Sequence, residues 1–162
     1  MAAKVYLDTN VFIRAFEGDD EVSRALVNVM GMDSAYAALA TSELTLAELL
    51  VHPYRHGDDV GRLRYENAIR SSTWLQVGPV NREVLVGASF LRSKYRLKLP
   101  DAIHLSTSLH IGCALLITDD SDLQGKFDVS YTSPDQHWPN RIIQGLPLNL
   151  SSIALVAERL RP

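Results

Sequence analysis

The chain has 162 residues, 46% of them hydrophobic, a formal net charge of −3 and one cysteine. That length suits a single domain over residues 1–162 with a real core. The acidic balance argues against a broad basic surface for non-specific DNA binding, and the lone Cys113 excludes an intrachain disulfide and fits a reducing cytosol. No apolar run reaches membrane-spanning length and the start Met-Ala-Ala-Lys has no signal-peptide apolar region, so a cytoplasmic protein with no membrane partner is expected.

Lys4-Val5-Tyr6-Leu7 reads as a first strand and Asn10 to Phe16 as a short helix. Gly18-Asp19-Asp20 is a break with capping chemistry. Val22, Ala25, Leu26, Val29 and Met30 recur at helical spacing. Tyr36 to Thr41 looks like a short buried strand, and residues 45 to 51 a helix that Pro53 interrupts. After the loop His56-Gly57-Asp58-Asp59 a helix is expected from about Val60 to Ile69, then a strand over Trp74 to Val80. Asn81 caps a helix carrying Val84, Ala88, Leu91 and Tyr95 on one face. Pro100 suits the first turn of the next helix, which ends near Gly112. Ala114 to Ile117 is an apolar strand. This alternation argues for an α/β fold with a parallel sheet covered on both faces. Residues 126–162 form a loop-rich tail with Pro134, Pro139 and Pro147, closed by a helix over 151–160 that Ser151 or Ser152 would cap.

Acidic residues fall where such a fold gathers chemistry, at strand ends and helix starts. Asp8 follows the first strand, Glu48 lies in the helix after the second, Asp101 comes directly after Pro100, and Asp119, Asp120 and Asp122 follow Thr118. Each has an ordinary alternative. Asp8 suits an N-cap, Glu48 stands at capping-box spacing from Thr45, Asp101 suits the positive end of a helix dipole, and the last three suit a turn. Together they suggest carboxylates whose mutual repulsion a hard divalent cation, Mg²⁺ or Mn²⁺, would relieve.

The segments Val5-Tyr6-Leu7-Asp8-Thr9-Asn10-Val11, Thr41-Ser42-Glu43-Leu44-Thr45-Leu46-Ala47-Glu48, Leu99-Pro100-Asp101-Ala102-Ile103-His104-Leu105 and Leu116-Ile117-Thr118-Asp119-Asp120 resemble a PIN-domain ribonuclease of the VapC toxin type. The resemblance covers residues 4 to 123. It implies a three-layer α/β/α fold around a central parallel sheet. It also implies a metal-dependent endoribonuclease, the toxin of a toxin–antitoxin pair, with an RNA substrate, a cognate antitoxin protein as partner and a homodimeric form. Asp8, Glu48 and Asp101 would be three site acids and Asp120 the fourth, with Asp119 the alternative. Asp8, Asp101 and Asp120 would ligate the ion, and Glu48 would orient or deprotonate a water activated by it. Thr9, Asn10, Thr118 and Asp122 are supporting candidates around these acids. Arg92, Lys94, Arg96 and Lys98, with a second group at Arg55, Arg62 and Arg64, are candidates to track RNA phosphates, against the alternative of a solvated helix face.

The five histidines do not suggest a zinc site, since Pro53 separates His52 from His56, and His104 and His110 are six apart. A haloacid-dehalogenase-type phosphatase would want an Asp where Asn10 stands. A non-catalytic PIN-like binding module and a structure-specific DNA nuclease are the competing functions.

Overall fold

In a computed structural model of the chain, residues 4–32, 38–129, 138 and 142–161 are described. The expected strand over Tyr36–Thr41 therefore lies partly outside them, and Pro134 and Pro139 lie wholly outside.

Helices and strands alternate from the start: β1 (Lys4–Leu7), α1 (Thr9–Glu17), α2 (Glu21–Met30), β2 (Leu39–Ser42), α3 (Glu43–Leu49), α4 (Val51–His56), α5 (Asp59–Ala68), β3 (Leu75–Gly78), α6 (Arg82–Tyr95), α7 (Leu99–Ile111) and β4 (Cys113–Thr118). A single 3₁₀ turn (Ser121–Leu123), β5 (Gly125–Asp128), β6 (Ile142–Pro147) and α8 (Leu150–Leu160) follow. Acid and amide caps set most helix starts. Asp20 accepts from Ser23 N, Asp58 from Gly61 N and Asn81 from Val84 N, each satisfying a backbone donor that the first turn leaves unpaired. A break does fall ahead of Pro53, between Leu49 and Val51, but no helix ends at Pro53 itself. It sits inside α4, which runs on to His56 and stops at Gly57 in the left-handed conformation.

The described strands form one sheet in the order β3-β2-β1-β4-β6-β5. β1 pairs in parallel with β2 and β4, and β2 with β3. The chain winds outward from β1 to β3, then returns to the other side of β1 with β4. That reversal opens a crevice between the carboxyl ends of β1 and β4, the place where such sheets bind ligands.

Side-chain alternation along the strands feeds two cores. Val5 and Leu7 pack with Phe12, Leu26, Leu115 and Ile117 on the α1/α2 face. Tyr6 and Leu116 pack with Leu91, Leu105 and Leu109 on the α6/α7 face. The result is three layers, helices on both faces of the sheet.

The central strands are parallel as expected, and the tail adds one antiparallel edge strand. β6 pairs in parallel with β4, but β5 runs antiparallel to β6. Phe127 and Ile143 are buried in the α6/α7 core, while Ile153, Val156 and Leu160 of α8 are buried in the α1/α2 core. The tail thus contributes to both cores. Its closing helix begins at Leu150, capped by Asn149 rather than by a serine, with Ser152 N donating to Asn149 Oδ1 at 2.9 Å.

Candidate metal centre

Four segments bring the acids to this crevice. Asp8 ends β1 and caps α1, its Oδ1 accepting from Thr9 N at 2.7 Å. It is buried, and its Oδ2 accepts from the Thr118 hydroxyl at the end of β4, 2.7 Å away. The same hydroxyl accepts from Asp120 N at 3.0 Å, so one buried threonine ties the first acid to the backbone of the fourth. The Thr41 hydroxyl donates to Leu7 O and meets the Thr45 hydroxyl, both at 2.8 Å. These bonds fix the start of α3 against the end of β1 and set the direction from which Glu48 enters.

Glu48 reaches inward. Its Oε2 accepts from the Thr9 hydroxyl and from His104 Nε2, the latter at 2.9 Å. Burial pushes its pKa up, but the hydrogen bonds from His104 and Thr9 outweigh that and hold it below the usual glutamate value.

Asp101 lies in the first turn of α7, behind Pro100. Its Oδ2 is buried with no hydrogen-bond partner among the described residues. Burial first, then the charges of Asp120 and Asp8, push its pKa up to about 6. One oxygen from each of Asp101, Asp120 and Asp122 lies within 4.8 Å of the others. Carboxylates crowded in this way, one with a buried oxygen left unbonded, are a donor set that suits a hard divalent cation. Asp8 and Glu48 fall outside this triplet, and their bonded oxygens meet Thr9, Thr118 and His104.

Between the two adjacent aspartates, Asp120 is half-buried in the cluster, and its Oδ1 also accepts from Asp122 N at 2.9 Å. Asp119 is exposed and lines an open groove along α1 with Asn10, Arg14 and Glu17. Asn10 is likewise exposed there, whereas Thr9 and Thr118 are buried within the site.

The basic residues divide. Arg92 Nε donates to Leu97 O at 3.2 Å and Lys94 Nζ to Asp128 O at 2.7 Å, so both serve the fold. Arg96 ends α6 at φ 57°. Lys98 is exposed at the start of α7, close enough to Asp101 to lower its pKa against the larger opposing causes. In the second group Arg62 pairs with Asp59 and Glu66.

The residue that the sequence reading set aside is His104. It is buried, and its Nδ1 lies 2.7 Å from the Tyr6 hydroxyl. Burial alone would lower its pKa, but the Glu48 hydrogen bond and the charges of Asp8, Glu48 and Asp101 leave it raised. The available signal was its place three residues after Asp101, on the same helix face. Cys113 is a core residue, its thiol pushed up to about 12 by burial.

A family model described as PIN domain matches residues 5–127. Among solved structures, a toxin–antitoxin complex from Klebsiella pneumoniae is 27% identical with a TM-score of 0.57, covering 75% of this chain and 92% of that one. VapC20 of Mycobacterium tuberculosis, a toxin that cleaves the sarcin–ricin loop, is 17% identical with a TM-score of 0.59, covering 74% and 92%. VapBC2 of Rickettsia felis, bound to a DNA fragment from its promoter, is 14% identical with a TM-score of 0.56, covering 88% and 97%. No curated protein matches the chain.

Proposed function

The chain belongs to the PIN domain family, and from that premise we propose that it is a Mg²⁺- or Mn²⁺-dependent endoribonuclease, the toxin of a toxin–antitoxin pair. The observation that carries this reading is the Asp101 carboxyl. It has a buried oxygen without a partner, its pKa is raised to about 6, and the oxygens of Asp120 and Asp122 stand within 4.8 Å. The likeness to the Klebsiella complex supports the toxin assignment. A fold shared with a toxin that cuts the sarcin–ricin loop supports RNA as the substrate. By the same analogy the partner is an antitoxin protein, and the family resemblance adds a second copy of the chain. Among the described residues no helix is long and apolar enough to cross a membrane.

Asp8, Asp101 and Asp120 would hold the ion, with Asp122 at its margin. When bound, the ion neutralises charge developing on the phosphodiester and makes water a stronger nucleophile. Glu48, ionised at neutral pH, orients the attacking water and takes its proton. Thr118 and Thr9 hold Asp8 and Glu48 in place, and Lys98 offers positive charge to the phosphate beside Asp101.

The test is cleavage of RNA and of DNA by purified protein with Mg²⁺, Mn²⁺ or EDTA. Cleavage of RNA that EDTA abolishes is expected. Cleavage of DNA alone would make it a DNA nuclease, and binding without cleavage would make it a non-catalytic module.

A further inference from the structure

His104 is 1% exposed, yet both of its ring nitrogens are engaged. Nε2 lies 2.9 Å from Glu48 Oε2 and 3.5 Å from Asp8 Oδ1. The Thr9 hydroxyl is 3.4 Å away and commits its own hydrogen to Glu48. Nε2 thus faces acceptors, and it carries a hydrogen whether the ring is neutral or charged. Behind the ring, Tyr6 Oη is 2.7 Å from Nδ1. A tyrosine hydroxyl carries its hydrogen at neutral pH, and at 2.7 Å it donates to Nδ1 of the neutral ring and fixes the tautomer. Both hydrogens given to Glu48, from Thr9 and His104, arrive on Oε2, and Oε1 makes no hydrogen bond among the described residues.

We propose that His104, oriented by Tyr6, is the positioning residue of this site: its Nε2–H pins the Glu48 carboxylate by Oε2 and leaves Oε1 as the oxygen presented to the cleft. The effect on cleavage rests on the nuclease reading above; the hydrogen-bond arrangement does not. Glu48 stands on the seven-residue α3 and has a flexible side chain whose ordering has an entropic cost. A buried imidazole held from behind bears that cost in the fold, before any substrate arrives. The helix that supplies Asp101 also supplies this donor, so acid and positioning group arrive on one rigid element.

Two measurements test this. Long-range ¹H–¹⁵N correlation spectra of apo protein labelled with ¹⁵N-histidine, in EDTA, show which ring nitrogen bears hydrogen, with His104 assigned by the signals lost in His104→Gln. The expected result is hydrogen on Nε2; hydrogen on Nδ1 alone overturns the proposal. Tyr6→Phe keeps the ring volume, removes the donor to Nδ1 and should shift those signals toward the other tautomer; an unchanged spectrum removes Tyr6 from the arrangement and overturns it as stated. In Mn²⁺-dependent RNA cleavage, His104→Leu should lower kcat about 10- to 100-fold with little change in KM. His104→Gln, which retains a donor, should recover part of the loss. In a Glu48→Gln background His104→Leu should add little, because coupled residues are not additive. An undiminished effect there would make His104 a general structural residue and overturn its action through Glu48. If the wild-type protein cleaves no nucleic acid, the nuclease reading fails on its own, and the spectra still decide the donor geometry.

Discussion

Asp8 and Asp101 are both aspartates at the carboxyl edge of one sheet, and the fold treats them in opposite ways. Asp8 receives a backbone N–H and a threonine hydroxyl, one on each oxygen. Asp101 keeps a buried oxygen without a partner and faces the charges of Asp120 and Asp8. The inner half of the site, Asp8 with Thr9, Glu48, His104 and Thr118, is joined by hydrogen bonds that hold it in place. The outer half, Asp101 with Asp120 and Asp122, is left electrostatically incomplete. A site divided in this way keeps its geometry without the ion and gains most from the ion on one side.

Replacing each aspartate by asparagine sharpens that contrast. Asp8→Asn and Asp101→Asn should each reduce metal-dependent cleavage about 10³-fold, the scale of losing several kcal/mol of transition-state stabilisation. Normal turnover by either purified variant would remove that residue from the site. Their stabilities should diverge in EDTA. Asp8→Asn, with its oxygen kept on Thr9 N, turns an amide nitrogen toward Thr118 and takes the acceptor from that buried hydroxyl, and should cost about 1–3 kcal/mol. Asp101→Asn breaks no hydrogen bond of the unbonded Oδ2 and should cost nothing. Equal losses in urea titrations of the two would erase the distinction between the halves.

The outer half also depends on the tail. A β-carbon on Gly145 of β6 would lie 1.8 Å from Leu123 O, so a glycine is needed where the 3₁₀ turn carrying Asp122 crosses that strand. Gly145→Ala should destabilise the protein by about 1–3 kcal/mol through overpacking. It should also weaken Mn²⁺ binding, followed by calorimetry, because the turn carrying Asp122 is displaced. Unchanged stability and affinity would mean that the turn does not rest on β6.

Most of the fold up to residue 123 is legible in the sequence because its signals are local: helical spacing in α2, the Asn81 cap of α6, the Pro100 start and Gly112 stop of α7, and the apolar run of β4. The tail is not. β6 is half-buried, interrupted by Gly145 and ended by Pro147, each of which weakens a strand pattern. Pairing with β4, distant in sequence, and with β5 makes it a strand. At the site, capping chemistry and ligand chemistry use the same residues, so Asp8 carries both signatures. The preference for Asp120 over Asp119 rests on the family's pattern, and the turn leaves Asp120 half-buried and Asp119 exposed. His104 looks like a core histidine until Tyr6 and Glu48, from two other elements, are seen on its two nitrogens.

Thr118→Val tests the link between the halves. It keeps the volume but removes the hydroxyl joining Asp8 Oδ2 to Asp120 N. Leaving those buried groups short of a partner should cost about 1–3 kcal/mol and weaken Mn²⁺ affinity, read by denaturation with and without the ion. An unaffected affinity would show that the two halves bind independently of this bridge.

The smallest effect is the pH dependence of the outer half. The Asp101 carboxyl has a pKa of about 6 in the folded chain and about 3.9 when unfolded. Below about pH 4 both states hold its proton and it carries no penalty. As pH rises toward 6 the unfolded chain releases that proton while the folded chain retains it, so this residue lowers stability; above about 6 the loss is complete and constant. Glu48, held below its usual pKa, contributes in the opposite direction, so the raw profile of the wild type mixes the two. The difference between wild type and Asp101→Asn in EDTA isolates Asp101. The variant should gain on the wild type between about pH 4 and 6 and hold a constant lead above that. Solvent screening at this half-buried position limits the lead, and ~2–4 °C in melting temperature is the scale expected for a chain of this length. A variant that melts lower than wild type at pH 7 would mean that Asp101 serves chiefly to stabilise the start of α7 through the helix dipole.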